Sequence, residues 1–89
     1  MKRIVLDSAR FHNRKEAHRY LKEQFHFPVY YGENLDALHD CLGEIAEPVE
    51  VLVPECIVED TYLGDYGAVL LQIFLDTAGE NPNLKVLVG

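Results

Sequence analysis

Residues 30–42 read Tyr-Tyr-Gly-Glu-Asn-Leu-Asp-Ala-Leu-His-Asp-Cys-Leu, a turn followed by a helix with two opposite faces. At about 100° per residue, the apolar side chains form one stripe that must face the core. That stripe consists of Leu35, Leu38, Leu42 and Ile45. Almost diametrically across from it lie the acidic side chains Glu33, Asp36, Asp40 and Glu44. Asn34 is placed to cap this helix, which we expect to run to about Ala46 before Pro48 stops it.

Outside that stretch, the chain alternates between short apolar runs and amphipathic helices. Asn13 and Glu16 form a capping-box pattern at the start of a first helix, which we expect Pro28 to end. Strands are predicted at residues 3–6, 49–53 and 84–88 and a long helix at 65–78, while 55–63 fits either a loop or a short helix. Apolar strands separated by helical crossovers are typical of a parallel sheet. We therefore predict one α/β domain over residues 1–89, a three-stranded parallel sheet packed with three to four helices.

Charge is distributed unevenly along the chain. Thirteen of the fifteen acidic residues and no Lys or Arg lie between Glu23 and Leu84, whereas seven of the eight basic residues lie between Lys2 and Lys22. The formal charge of −7 makes nucleic acid a poor ligand and a basic protein a good one. An acidic surface is also an ordinary means of keeping a protein soluble. The uneven charge therefore fits either binding to a basic protein or solubility alone. We interpret the basic patch from Arg10 to Lys22 as the solvated face of the first helix, with contact to an acidic partner as the alternative. His12, His18 and His26, on or near this helix, are interpreted as surface polar residues.

Several other classes of protein are not indicated. No apolar run approaches the roughly 20 residues of a membrane span, and the first residues enter a strand-like segment instead of a signal peptide. Cys41 and Cys56 lack metal-ligand spacing, which favours reduced thiols in a cytoplasmic protein. Asp36 and His39 diverge by about 60° on the helix and no fourth ligand is evident, so we expect no metal and no other cofactor. Nucleophilic catalysis needs a base and an orienting group near the nucleophile, and the sequence indicates neither. A small hydrolase is therefore the least favoured interpretation.

The acids of the second helix are not arranged for stability. Asp36 with Asp40, and Asp40 with Glu44, are like-charge pairs at i,i+4, each destabilising by roughly 0.2–0.5 kcal/mol. Asp36 gains from the positive helix N-terminus, but Asp40 lies too far along to gain much. Unpaired acids beside a Tyr-Tyr-Gly turn are typical of a binding surface. The alternative is that these acids simply cover solvent-facing helix positions.

The string from Tyr30 to Leu42 resembles the signature of the barstar family, intracellular inhibitors of the ribonuclease barnase. The resemblance extends over essentially the whole chain. It includes the first strand and helix, Glu47-Pro48 before the second strand, the segment 71–74 in the last helix and the terminal strand. It implies the barstar fold and a non-enzymatic protein that blocks a ribonuclease.

The resemblance also implies a set of contact residues. Tyr30 matches the turn tyrosine that packs against the ribonuclease, and Asp36 and Asp40 match the two aspartates that enter its active site. Asp40 holds the position that pairs with the catalytic arginines and histidine. Gly43 falls in a loop that touches the enzyme, and Asp76 aligns with a glutamate. With their neighbours, the candidate partner-binding residues are Tyr30, Tyr31, Glu33, Asn34, Asp36, His39, Asp40, Gly43, Glu44 and Asp76.

This chain departs from the family pattern at three places within or beside those contacts. His39 replaces a tryptophan, and Asp76 replaces a glutamate that is one methylene longer. An aromatic residue after the loop glycine is absent, and Glu44 and Ile45 stand there. The departures leave open which nuclease is the target.

Two interpretations from different classes follow. The first is a monomeric inhibitor, of the immunity or antitoxin type, whose acidic helix occupies the RNA phosphate sites of a basic extracellular-type ribonuclease or toxin nuclease. The second is a barstar-fold interaction module that binds some other basic protein. Carboxylates complement a cleft lined with Arg and Lys in either case.

Overall fold

A computed structural model describes residues 2–89 and contains a three-stranded parallel sheet with three α-helices. In chain order the elements are β1 (Lys2–Val5), α1 (Arg14–Phe25), α2 (Leu35–Gly43), β2 (Val49–Val53), α3 (Asp65–Glu80) and β3 (Leu84–Val88). Two 3₁₀ turns add to these, at Ser8–Arg10 and Glu55–Val58. The predicted fold class is confirmed, and the ambiguous segment 55–63 contains the second 3₁₀ turn.

The sheet has the order β1-β2-β3, with Ile4 of β1 opposite Val51 of β2. Burial alternates along β2. The side chains on one face of β2 are buried, namely Val49, Val51 and Val53. On the other face Glu50 is half-buried and pairs with Arg3 at 3.3 Å and Lys85 at 3.7 Å. The alternation shows that one face of the sheet packs into the core, while the other carries a row of ion pairs.

Both predicted N-caps are confirmed. The Asn13 side-chain oxygen accepts a hydrogen bond from the backbone N–H of Glu16 at 2.8 Å. The Asn34 side-chain oxygen accepts one from the N–H of Ala37, also at 2.8 Å. Each bond satisfies one of the orphan donors of a first helical turn, which sets the starts of α1 and α2.

The first helix ends earlier than predicted. Its last residue is Phe25, and His26 adopts a left-handed conformation with φ of 55°. The N–H of Phe27 then donates to the carbonyl of Lys22 at 3.0 Å, which closes the helix. The end is therefore a left-handed cap, and Pro28 follows it without terminating the helix.

The second helix also ends earlier than predicted, at Gly43 and not near Ala46. The buried side chain of Asn81, which follows α3, donates to the carbonyl oxygens of Leu42 at 3.0 Å and Ile45 at 3.1 Å. These carbonyls would otherwise be unsatisfied after the last helical turn. A residue 39 positions away from Leu42 thus fixes where α2 stops.

The third helix begins after Gly64, whose φ of 58° favours glycine, and extends to Glu80, two residues beyond the predicted Ala78. Gly67 lies against the second 3₁₀ turn, where a Cβ would meet the carbonyl oxygen of Ile57 at 2.0 Å. The α3 backbone therefore approaches that turn more closely than a side chain would permit. The fully buried side chains of the core include Phe11, Leu21, Leu38, Leu42, Leu70 and Phe74.

Candidate protein-binding site

The turn between α1 and α2 directs two neighbouring tyrosines to opposite environments. Tyr30 is 82% exposed, and Val29 beside it is 89% exposed. Tyr31 is only 5% exposed, and its N–H donates to the carbonyl of Pro28 at 2.9 Å. Tyr30 is thus available for contact with a partner. Tyr31, predicted as a contact, packs into the core behind the turn.

The two faces predicted for α2 are present. Leu38 and Leu42 are fully buried, whereas Asp36 and Asp40 are exposed, the side chain of Asp40 by 78%. We use the name acidic face for the exposed set Glu33, Asp36, Asp40 and Glu44. Asn34 lies within this region, but its side chain is engaged in capping α2 and in a bond to the carbonyl of Gly32 at 3.2 Å.

No Lys or Arg in residues 2–89 forms a salt bridge with the acidic face. The bridges made by Lys and Arg side chains go to Glu50 and Glu16, at other places on the molecule. Among the salt-bridge distances found in residues 2–89, the one that involves the face joins His39 Nδ1 to an oxygen of Asp40, at 3.9 Å. Like charges one helical turn apart destabilise a helix, so this arrangement does not serve the stability of α2.

His39 connects the acidic face to α3. Its Nε2 lies 3.0 Å from an oxygen of Glu80, in the last turn of α3. Asp76, one turn earlier, is exposed and accepts a hydrogen bond from Gln72 at 2.8 Å. The structure therefore brings Glu80 next to His39. Sequence reasoning missed Glu80, because nothing local to residue 80 indicates the packing of α3 on α2.

The end of α2 is open to solvent. Gly43 is the last residue of the helix, not part of a following loop as the resemblance implied, and a Cβ at this position would meet nothing within 4 Å. Glu44 caps the helix with its backbone N–H and is exposed. Both residues are accessible at the C-terminal edge of the acidic face.

An aromatic cleft of about 220 Å³ adjoins this edge. Its lining includes Phe25, Phe27, Tyr30, Cys41 and Glu44. Burial raises the pKa of the Cys41 thiol, and the nearby Glu44 and Asp40 carboxylates raise it further. The thiol is thus held protonated, which makes it a packing group and a poor nucleophile.

The prediction that His18 lies on the surface is wrong. Its side chain is 1% exposed, and its two ring nitrogens lie 2.7 Å from the hydroxyl of Tyr31 and 2.6 Å from the hydroxyl of Tyr66. Desolvation lowers the pKa of His18, although the negative charge of Glu33 partly opposes this shift. Burial also raises the pKa of both tyrosines. A neutral imidazole between two hydroxyls satisfies polar groups that would otherwise be unpaired in the core.

Within residues 2–89, no three or more His, Cys, Asp or Glu side chains are grouped so as to hold a metal ion. None of the helices described there has the length and apolar character needed to cross a membrane.

The fold and the site define a small parallel α/β protein that presents unpaired carboxylates and an exposed tyrosine on a helix and the turn before it. Residues 1–88 match the family model described as Barstar (barnase inhibitor). The chain is 36% identical over 90 residues to the "Putative ribonuclease inhibitor YrdF" of Bacillus subtilis (strain 168), an alignment that covers 99% of each chain. The protein belongs to the barstar family, and both comparisons support a role of the ribonuclease-inhibitor type.

Proposed function

We propose that this protein is a non-enzymatic inhibitor of a basic ribonuclease, of the immunity or antitoxin type, acting as a monomer in the cytoplasm. In this proposal the acidic face and Tyr30 enter the enzyme's active site, and the carboxylates occupy positions that RNA phosphates would take. The observation that carries the proposal is the exposure of Asp36 and Asp40, which have no Lys or Arg partner in residues 2–89, beside an 82% exposed tyrosine.

The chemistry of a ribonuclease active site fits this surface. A cleft that binds phosphates is lined with Arg and Lys, and carboxylates make short, charge-assisted hydrogen bonds to both. Asp36 and Asp40 are one helical turn apart on a helix whose ends are set by the side chains of Asn34 and Asn81. The helix backbone that carries them is therefore ordered before binding, which lowers the entropy lost on association.

Tyr30 and the aromatic cleft supply the apolar part of such an interface. Exposed tyrosines are frequent anchors at interfaces, because the ring is rigid and amphipathic. The cleft behind Tyr30 places Glu44 beside Phe25 and Phe27. It suits the side chain of a Lys or Arg from the partner, with the aliphatic stem on the rings and the charge near the carboxylate.

The departures from the family pattern bear on which ribonuclease is bound. His39 stands where the resemblance places a tryptophan, and it is tied to Glu80. Asp76 is shorter than the glutamate of the pattern and is bonded to Gln72. A target complementary to this face would therefore differ from barnase in the region that meets α3. An interaction with a basic protein that is not a nuclease is the alternative.

A titration of barnase and other small basic bacterial ribonucleases, with RNA cleavage as the readout, tests the proposal. We expect stoichiometric inhibition of at least one enzyme, and a loss of affinity of about a hundredfold or more for Asp40→Ala. Truncating one member of a buried charge pair costs about 2–5 kcal/mol, a range drawn in part from the barnase–barstar pair itself. Glu59→Ala removes an exposed carboxylate at the second 3₁₀ turn and is the matched control, expected to bind like the wild type.

Circular dichroism of each variant would establish that it is folded. Failure of the wild type to inhibit any enzyme of the panel would contradict the proposal and favour the alternative partner class. Equal losses for Asp40→Ala and Glu59→Ala would contradict the assignment of the face.

A further inference from the structure

Arg14, the first residue of α1, lies over the ring of Tyr66, near the start of α3, with its guanidinium carbon 4.3 Å from the ring centroid. The Tyr66 hydroxyl is held by the buried His18, at 2.6 Å, and His18 is held by Tyr31. The ring under Arg14 is thus anchored in the core. Stacking on a fixed ring restricts the guanidinium and leaves its N–H edge free to donate. We call Arg14 and Tyr66 together the arginine shelf.

The arginine shelf opens onto a cleft of about 500 Å³ beside the start of α2. The lining residues are Arg14, Glu33, Asn34, Leu35, Asp36 and Tyr66. Glu33 and Asp36 also belong to the acidic face, so the cleft is continuous with the surface assigned to the ribonuclease. A partner that covers Asp36 would extend over the shelf.

Within residues 2–89, Arg14 takes part in no salt bridge, whereas Arg3 and Arg10 each have a carboxylate partner. Glu33 and Asp36 line the same cleft, yet neither lies within the 4.0 Å of a salt bridge to Arg14. The structure therefore holds an oriented guanidinium, without a carboxylate of its own, at the margin of an acidic region.

We propose that the arginine shelf binds a carboxylate side chain on the ribonuclease, at the rim of its basic active site, and so takes part in selecting the partner. This inference rests on the proposed function. A free anion such as inorganic phosphate would be repelled by Glu33 and Asp36. An Asp or Glu flanked by Lys and Arg on a protein surface complements both signs of charge in the cleft. A ribonuclease without that acid would leave Arg14 covered and unpaired, which disfavours the wrong enzyme.

Removing Arg14 changes the affinity in opposite directions under this proposal and under long-range electrostatic attraction alone. Arg14→Ala changes the formal charge from −7 to −8, since one positive charge is lost. Attraction to a basic enzyme would then increase, and association would be unchanged or faster. The proposal instead predicts a dissociation constant raised on the order of tenfold, mainly through faster dissociation, because a specific pair is lost.

Arg19→Ala is the matched control. Arg19 is exposed on the same helix, forms no salt bridge in the described residues, and does not line this cleft. Its removal changes the net charge by the same amount and should leave the affinity equal to the wild type or slightly tighter. Arg14→Lys keeps the charge without the planar guanidinium and should bind with intermediate affinity.

The experiment measures association and dissociation rates by surface plasmon resonance. The immobilised probe is barnase or, if barnase is not inhibited, the ribonuclease of the panel that is. Tyr66→Leu removes the platform, and in a double-mutant cycle its effect should be non-additive with Arg14→Ala. Weaker binding of Arg14→Ala than of Arg19→Ala supports the proposal. If Arg14→Ala binds as tightly as Arg19→Ala or more tightly, while the wild type still inhibits, the arginine-shelf proposal is overturned and the proposed function is not. Absence of inhibition across the panel overturns the proposed function and the shelf with it.

Discussion

The Nε2 atom of His39 lies 3.0 Å from an oxygen of Glu80, and this contact links the exposed side of α2 to the last turn of α3. The two side chains remain 47% and 65% exposed. The contact joins Glu80 of α3 to His39, which precedes Asp40 in α2, so the exposed carboxylates of this surface come from two helices. The position of α3 therefore contributes to the shape of the candidate site.

Removing the charge of Glu80 should weaken binding more than it weakens the fold. We expect Glu80→Gln to lower affinity for the inhibited ribonuclease about three- to tenfold, because a carboxylate is lost and His39 loses a partner. The free energy of unfolding should change by less than about 1 kcal/mol, since the pair is exposed. Isothermal titration and urea unfolding measure the two effects. Glu59→Gln is the control, and an equal loss of affinity in both variants would contradict a role for α3.

Association with the ribonuclease should depend strongly on salt. In the part of the chain that the structure describes, the acidic face has no Lys or Arg partner, so its field extends into solvent until it is screened. Between about 0.01 M and about 1 M salt, we expect the association rate to fall on the order of tenfold or more, with a smaller change in dissociation. Stopped-flow mixing measures both rates. An association rate independent of salt would argue against electrostatic attraction as the source of fast binding.

Two glycines of α3 should respond in opposite ways to alanine. A Cβ on Gly67 would lie 2.0 Å from the carbonyl oxygen of Ile57, so we expect Gly67→Ala to lower the free energy of unfolding by about 3 kcal/mol or more. A Cβ on Gly79 would meet nothing within 4 Å. Gly79→Ala should raise stability by up to about 1 kcal/mol, through helix propensity. Urea unfolding measures both variants. Similar free energies of unfolding for Gly67→Ala and Gly79→Ala would show that the second 3₁₀ turn moves to accommodate the added Cβ.

Stability should fall as the pH drops below about 6.5, partly because of His18. Burial lowers the pKa of His18 in the folded state, so at acidic pH the unfolded chain binds the proton more readily. The stability that neutral His18 contributes is constant above the pKa that His18 has in the unfolded chain. It is lost as the pH falls from that value to the lower pKa of His18 in the folded state. His18→Gln should be about 1–2 kcal/mol less stable at pH 7.5 but show a weaker dependence on pH.

The measurement for His18 is urea unfolding at pH 7.5, 6.5 and 5.5. His12→Gln is the control, because His12 is exposed and stacks on Tyr62 instead of bridging buried hydroxyls. The control should keep the wild-type dependence on pH. An identical dependence in His18→Gln would show that other groups account for it.

The parts of the fold that sequence predicted well are those set by local periodicity. The alternation of Leu38 and Leu42 with Asp36 and Asp40 follows from helix geometry alone, and the structure buries the first pair and exposes the second. The cap made by Asn34 was also predictable, because cap and donor are three residues apart. The resemblance of the chain to a known family supplied the candidate contacts, whereas the strand order β1-β2-β3 came from the structure.

The errors concern residues whose surroundings come from distant parts of the chain. His18 lies among the basic residues of α1 and was predicted at the surface, yet Tyr66, 48 positions away, provides one of its two partners. The end of α2 was predicted three residues too late, because its last carbonyls bond to Asn81. No local sequence pattern indicates contacts between residues so far apart in the chain.

The sequence by itself determined where most helices and strands form, the two faces of α2 and the acids on one of them, because each depends on residues within a few turns. Only the tertiary structure decided that Tyr30 is exposed while Tyr31 is buried, that Glu80 joins the acids of α2, and that Arg14 rests on Tyr66. The reason is physical: burial and side-chain pairing depend on which elements pack together, and packing is a property of the folded chain as a whole.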